Sequence, residues 1–345
     1  MMKSFWFFAQ FLHVFLVFST LIASVAVQAF TGAYGINYGR IADNIPSPDK
    51  VATLLRAAKI KNVRIYDADH SVLKAFSGTG LDLVVGLPNG YLKDMSANED
   101  HAMDWVKENV QAFLPETRIR GIAVGNEVLG GTDYELWGAL LGAVKNIYNA
   151  IKELGLTDVV QITTAHSQAS NVKQQYMKPL LEFFSEIGSP FCLNAYPFLA
   201  YMSDPENIDI NYALFQKTQG ISDPKTDLHY DNMLDAQIDA AYAALEDAGF
   251  KKMEVIITET GWASRGDDNE AAATNLKPGP TSERNFGLYK PDGTIAYDIG
   301  FRGLVSSSAD SLRLSSKDLG ARGWSRSQYL ILPISMAAAF LLFLR

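Results

Sequence analysis

Short apolar runs alternate with longer segments of helical periodicity through the middle of this 345-residue chain. Continuous runs of β-branched and aromatic residues suit strands that are buried on both faces, as in a parallel sheet. We predict seven such strands, at residues 33–39, 62–66, 81–87, 119–124, 159–164, 191–196 and 254–258.

Apolar positions between these runs recur at three- and four-residue spacing, which is typical of amphipathic helices. The clearest pattern spans residues 133–154, with a predicted capping box at Thr132 and Glu135 and a natural stop at Gly155. A second pattern spans residues 231–248. Weaker helical patterns cover residues 48–58, 100–113 and 176–187.

The repeated alternation of strands and helices indicates the α/β class. Seven strands in a domain of this size favour a (β/α)8 TIM barrel over an open, doubly wound sheet. No glycine-rich dinucleotide-binding loop follows the first strand, which also weighs against the open sheet. The hydrophobic pattern by itself leaves both architectures open.

The N-terminal segment is almost wholly apolar from residue 5 to residue 29. It ends in Val27-Gln28-Ala29, a small-x-small pattern that predicts cleavage of a secretory signal peptide spanning residues 1–29. The alternative is an uncleaved signal anchor. Cleavage would place the mature protein outside the plasma membrane.

The C-terminal segment has a similar character. A serine-rich, polar spacer at residues 305–328 is followed by an apolar tail at residues 329–345. Small residues, a polar spacer and a terminal apolar tail together predict a glycosylphosphatidylinositol (GPI) attachment signal. The alternative is a tail-anchored helix. We expect a protein held by lipid at the outer face of the plasma membrane.

Residues 30–304 remain between these two signals, which is enough for one large hydrophobic core. The net charge of −8 and the lack of a Lys/Arg run weigh against nucleic acid as a partner. A single cysteine, Cys192, can form no internal disulfide, and the five scattered histidines lack metal-ligand spacing. We expect a monomer that uses neither a metal nor a cofactor.

Two glutamates stand where predicted strands meet loops. Glu127 follows the strand at 119–124, and Glu259 follows the strand at 254–258. In a TIM barrel, catalytic groups project from the C-terminal ends of the strands, so the two side chains should face one mouth. Glycoside cleavage with retention needs two carboxyl groups about 5–5.5 Å apart. The pair therefore suggests a glycosidase, although either glutamate alone could be an ordinary loop residue.

Aromatic and amide side chains stand at the same strand ends. Aromatic faces pack against sugar rings, and amides hydrogen-bond to hydroxyl groups. Each of these residues could also serve only to pack the core or the loops. The candidates for substrate binding are Tyr38, Tyr66, Asn126, Asn194, Tyr196 and Trp262.

These segments resemble the plant glucan endo-1,3-β-glucosidases, glycoside hydrolase family 17, over residues 31–304. The resemblance implies a (β/α)8 catalytic domain that hydrolyses internal β-1,3-glucan linkages with retention. It also implies Glu127 as proton donor, Glu259 as nucleophile and Lys277 as a residue near the pair. The matching segments are GINYG at 35–39, VRIYD at 63–67, AVGNE at 123–127, NAYP at 194–197, ITETGW at 257–262, NLKPGP at 275–280 and ERNFGLY at 283–289.

The chain departs from the family pattern after the seventh strand. In the family, a helix and an eighth strand precede the NLKPGP segment, whereas here residues 269–275 run straight into it. Roughly three dozen residues of the barrel plan are missing, and Thr274 replaces a glutamate. We interpret this as a skipped exon or a deletion. It predicts a strained or open barrel with low stability and reduced or absent activity, with residues 294–299 as a possible substitute strand.

Three functional hypotheses follow from these observations. The first is an active endo-β-1,3-glucanase acting on cell-wall glucan such as callose. The second is a catalytically impaired, glucan-binding protein of the cell surface, and the third is a chain that does not fold stably. A serine-dependent α/β-hydrolase is remote, because the chain has no Gly-x-Ser-x-Gly motif.

Overall fold

A computed structural model describes residues 34–40, 45–168, 174–263, 287–290, 292–294 and 296. The predicted signal peptide, polar spacer and apolar tail lie outside the described residues, as does Lys277. Within the described part of the chain, no helix combines the length and the apolar character needed to cross a membrane.

The central element is a parallel sheet of seven strands in the order β1-β2-β3-β4-β5-β6-β9. An antiparallel pair, β7 with β8, lies outside it. The strands are β1 (Gly35–Asn37), β2 (Asn62–Arg64), β3 (Asp82–Leu87), β4 (Arg118–Asn126), β5 (Gln161–Ser167), β6 (Phe191–Asn194), β7 (Ile221–Ser222), β8 (His229–Tyr230) and β9 (Val255–Glu259).

Helices connect most of the consecutive strands, as in a (β/α)8 barrel. They are α1 (Pro48–Ala57), α2 (His70–Ala75), α3 (Leu92–Ala97), α4 (Glu99–Asn109), α5 (Tyr134–Glu153), α6 (Gln174–Ile187), α7 (Pro197–Ser203), α8 (Ile210–Ala213) and α9 (Met233–Asp247). Two 3₁₀ turns, Asn89–Tyr91 and Gln111–Phe113, complete the list for the described residues.

The structure confirms the α/β class and all seven predicted sheet strands. The clearest predicted helix is present as α5, but Asp133 caps it by accepting from the backbone of Glu135 and Leu136, not the predicted capping box. The pattern at 100–113 divides into α4 and a 3₁₀ turn. The hydrophobic pattern did not predict α2, α3, α7, α8 or the β7–β8 hairpin.

The strands of the sheet bury side chains on both of their faces. Alternate residues such as Leu83 and Val85 join the main hydrophobic core, which also contains the apolar stripe of α5. The intervening residues, including Val84, Ala123 and Cys192, are buried but lie outside that cluster, on the interior side.

The sheet is nearly closed but remains an incomplete barrel, because β1 and β9 are not paired among the described residues. Residues 255–258 of β9 are half-buried, whereas most of β4 is buried. Thr294 and Ala296 bond to Lys290 and Leu288 within a short turn instead of extending the sheet. At these two positions, the proposed substitute pairing is therefore wrong.

Candidate active site

Glu127 and Glu259 lie at the same edge of the sheet. Glu259 is the last residue of β9, and Glu127 directly follows β4. Because all seven strands are parallel, both carboxyl groups stand at the C-terminal end of the sheet. Glu259 is buried, with 9% of its surface exposed, while Glu127 is half-buried.

The backbone around Glu127 is in an unusual conformation. Gly125 has φ = 72° and Glu127 has φ = 50°, and the pairing of β4 with β5 shifts register between Ala123 and Asn126. A left-handed conformation costs a non-glycine residue roughly 1–2 kcal/mol. The bond from Glu127 N to the Ala165 carbonyl, at 2.9 Å, helps to hold it. The bulged strand end turns the Glu127 side chain toward the site.

Arg64 and Tyr196 both donate to the carboxylate of Glu259. Arg64 Nη1 donates to Oε1 over 2.8 Å, and the Tyr196 hydroxyl donates to Oε2 over 2.8 Å. Arg64 is itself only 7% exposed, so this ion pair is buried. Charge-assisted hydrogen bonds of this kind are stronger than neutral ones, and they fix the orientation of the Glu259 side chain.

A chain of hydrogen bonds links Glu259 to Glu127. Arg64 Nη2 donates to Asn126 Oδ1 over 2.7 Å, and Asn194 Nδ2 lies 3.4 Å from the same oxygen. Asn194 Nδ2 also donates to Glu127 Oε1 over 2.8 Å. The five side chains thus form one connected polar network, in which each carboxyl group has a fixed orientation.

Burial raises the pKa of Glu127 above its ordinary value. The negative charge of Glu259 acts in the same direction, while the bond from Asn194 and the charge of Arg64 oppose it. Burial and the Glu259 charge also raise the pKa values of Tyr66 and Tyr196, which keeps both hydroxyl groups protonated. The site therefore combines a carboxyl group that holds its proton to higher pH with a carboxylate that is already paired to a cation.

Other predicted site residues lie around this network or apart from it. The Arg64 guanidinium stacks over the Tyr66 ring at 4.7 Å. Trp262 packs edge-on against Phe198 of α7, with ring centroids 5.0 Å apart. The Tyr38 ring packs against the core residue Phe76, with ring centroids 6.3 Å apart. Its hydroxyl has no hydrogen-bond partner among the described residues.

The family model for glycosyl hydrolases family 17 matches residues 34–276 of this chain. The chain belongs to glycosyl hydrolases family 17. The matched region contains β1 to β9, so every strand of the sheet belongs to the family domain.

Named relatives and solved structures agree with this membership. Glucan endo-1,3-beta-glucosidase 14 of Arabidopsis thaliana is 41% identical, over 87% of this chain and 88% of its own length. A glucan endo-1,3-beta-D-glucosidase of Olea europaea is 35% identical, over 83% and 74%. The structure of CJP38, a beta-1,3-glucanase and allergen of Cryptomeria japonica pollen, superposes with a TM-score of 0.71 at 32% identity, covering 77% of this chain and 98% of CJP38.

This family 17 chain is shorter than its relatives inside the aligned region. The alignment with the Arabidopsis protein has 351 positions, whereas 87% of this 345-residue chain is about 300 residues. About 50 aligned positions therefore have no residue in this chain. The difference agrees in kind with the predicted loss of residues and with the incomplete barrel.

Sequence reasoning missed two residues that organise the family 17 site. Arg64 lies inside a buried strand, and a buried arginine nearly always has a partner, so its position was a usable signal. Asn89 Nδ2 donates to the Asn126 carbonyl over 3.0 Å, and Asn126 N donates to Asn89 Oδ1 over 2.8 Å. Asn89 follows Pro88 in a turn, and nothing in the local sequence pattern indicates a role in the site.

Proposed function

We propose that this chain hydrolyses internal (1→3)-β-D-glucosidic linkages of cell-wall β-1,3-glucan, of the callose type, with retention of configuration. The observation that carries the proposal is the network joining Glu127 and Glu259 at the C-terminal edge of a family 17 sheet. The glucan-cleaving names of its relatives support the substrate class.

In the proposed mechanism, Glu127 is the acid and base, and Glu259 is the nucleophile. Glu127 gives its proton to the glycosidic oxygen as the bond from that oxygen to C1 breaks. Glu259 attacks C1 from the opposite face and forms a covalent glycosyl-enzyme. Glu127 then takes a proton from water, whose oxygen attacks C1 and releases the Glu259 carboxylate. Arg64 and Tyr196 orient Glu259 throughout these steps.

The remaining site residues are proposed to contact glucan. Asn126 and Asn194 offer amide groups beside the acid, and the Tyr196 and Tyr66 rings lie beside Glu259. Trp262 is proposed as an apolar surface for a sugar ring. Tyr38 and Lys277 are assigned on the family motif alone.

The test is release of reducing sugar from laminarin, with the anomer of the first product followed by NMR. Wild-type protein should release β-anomer first. Glu259→Ala should lower kcat by at least about 10⁴-fold, while Glu186→Gln, an exposed glutamate on α6, should match wild type. First release of α-anomer, or an active Glu259→Ala, would contradict the mechanism.

A second candidate is a glucan-binding surface protein with impaired catalysis. The edge strand β9, which carries Glu259 and is paired on one side only among the described residues, favours it. Retention of wild-type protein on insoluble β-1,3-glucan, without any release of reducing sugar, would support this candidate over the first.

We also propose that the protein is secreted as a monomer and anchored by a GPI lipid. The apolar segments at residues 1–29 and 329–345 support this location. Phosphatidylinositol-specific phospholipase C should release the protein from intact cells. Protein that stays with the cells after this treatment would exclude the lipid anchor.

A further inference from the structure

Two side chains cross the open edge of the sheet, between β1 and β9, at the level of the carboxyl groups. Asn37 Nδ2 donates to the backbone carbonyl of Thr258 over 3.0 Å, and Arg64 Nη1 lies 3.4 Å from the same oxygen. Asn37 is the last residue of β1, and Thr258 immediately precedes Glu259 on β9. The two unpaired strands are thus tied together by a side chain instead of by the backbone.

The direction of the Thr258 carbonyl explains why a side chain is needed. The pairing of β6 with β9 shifts register here and passes over Thr258, and the Glu259 carbonyl accepts from Ala195 N over 2.9 Å on the β6 side. The Thr258 carbonyl instead accepts from the Asn37 side chain on the β1 side, where the backbone N–H of an adjacent strand would donate in a closed barrel. Asn37 supplies an N–H at that place.

The same contact bridges the gap that the missing backbone pairing leaves. β1 and β9 have no backbone pairing with each other among the described residues, and the Asn37 amide joins them directly at the C-terminal edge. One side-chain hydrogen bond therefore links the two edge strands at the level of the carboxyl groups.

Thr258 also connects to the other half of the site. Its hydroxyl donates to Asn194 Oδ1 over 2.8 Å, and Asn194 donates to Glu127. A displacement of Thr258 would consequently alter the position of both carboxyl groups.

We propose that Asn37 is a positioning residue, which replaces a missing backbone donor, closes the seven-stranded sheet and sets the register of Thr258 and Glu259. The inference rests on the proposed role of Glu259. Asn37 acts through Thr258, so it governs how well Glu259 is aligned for attack and contributes little to glucan binding.

The experiment compares Asn37→Ala with Asn62→Ala in the full chain. Asn62 is a matched control, because its Nδ2 also donates to a backbone carbonyl, that of Tyr34, over 3.2 Å at the opposite end of the sheet. Asn37→Ala should lower kcat on laminarin about tenfold and change KM less than about twofold. Hydrogen exchange of the β9 amides should accelerate in Asn37→Ala only.

A third variant, Asn37→Gln, keeps the amide donor and should recover most of kcat. If Asn37→Ala does not fold, a folded Asn37→Gln supports the inference, and failure of both overturns it. Equal losses in Asn37→Ala and Asn62→Ala, or no change in β9 exchange, also overturn it. A wild-type chain without glucanase activity would refute the proposed function, while the exchange comparison would still decide the role of Asn37.

Discussion

Glu127 follows a strand that is hydrogen-bonded along both edges, whereas Glu259 ends a strand that is paired along only one edge among the described residues. β4 is largely buried, and residues 255–258 of β9 are half-buried. The two carboxyl groups of one site are thus carried by a central strand and an edge strand of the sheet.

This difference shows two ways to position a catalytic group. On β4, the backbone ladders fix the strand, and they can hold Glu127 at φ = 50°. On β9, side chains take over: Arg64 and Tyr196 hold the carboxylate, and Asn37 holds the preceding carbonyl. Substitutions of side chains should therefore damage the β9 half of the site more than the β4 half.

The largest effect is expected for Arg64→Met. It removes the cation from a buried pair, and such losses cost about 3–5 kcal/mol of stability. It also frees Glu259 and Asn126, so kcat should fall by about 10³-fold. Urea unfolding and laminarin hydrolysis measure the two effects.

A matched control for Arg64→Met is available in the partly exposed pair between Arg118 and Asp82, at 2.9 Å. Arg118→Met should cost less than about 1 kcal/mol, because Arg120 still pairs with Asp82. Similar losses in both variants would remove the distinction between the buried pair at the site and an ordinary surface pair.

His166 on β5, next to β4 in the sheet, is expected to lower the stability of the folded chain at acidic pH. The ring is buried against Phe191, neither ring nitrogen has a hydrogen bond among the described residues, and burial lowers its pKa to about 4. Between pH 6.5 and 4 the unfolded chain binds the proton more readily, so stability falls as the pH falls. His166→Leu should remove up to about 3 kcal/mol of this pH dependence.

Urea unfolding at pH 7 and pH 4 tests the His166 prediction. Thr164→Val, on the same strand, is the control. It removes another buried polar atom without a partner among the described residues, but a threonine hydroxyl does not titrate between pH 4 and pH 7. Its effect should be the same at both pH values. An unchanged slope in His166→Leu would show that other groups control acid unfolding.

A smaller effect is expected for Tyr196→Phe, which removes one of the donors to Glu259. We expect a kcat about tenfold lower, with little change in stability, because Arg64 remains in place. Tyr230→Phe is the control, since its hydroxyl donates to Asp239 over 2.6 Å, away from the two carboxyl groups. Equal kcat in wild type and Tyr196→Phe would show that the Tyr196 hydroxyl is not needed to orient Glu259.

The same contrast separates what could be predicted from the sequence and what could not. The strands and the long helix α5 were predicted because hydrophobic periodicity is local and follows burial directly. The short helices α7 and α8 lack enough turns to show a period. The strand-end positions of Glu127 and Glu259 were also predictable, because parallel strands place their ends at one edge.

Contacts across the open edge were not predictable in this way. The bond from Asn37 to Thr258 depends on how far the two unpaired strands approach each other, which no local pattern contains. The bonds of Arg64 to Glu259 and Asn126 likewise depend on the register of three separate strands. Side chains that replace missing backbone contacts become visible only in the assembled sheet.

The smallest effect is expected for Glu127→Gln, which should change the free energy of unfolding only slightly. Because the pKa of Glu127 is raised, the folded chain holds this proton more strongly than the unfolded chain, and stability is lost as the pH rises above about 4.5 through the raised value. Glu127→Gln removes the titration, so it should be more stable than wild type at pH 7, with a smaller difference at pH 4. The gain should be small, since the carboxyl group is half-buried and partly solvated. Urea unfolding at both pH values measures the difference, and a variant that is less stable than wild type at pH 7 would show that the backbone at φ = 50° depends on the carboxyl group it carries.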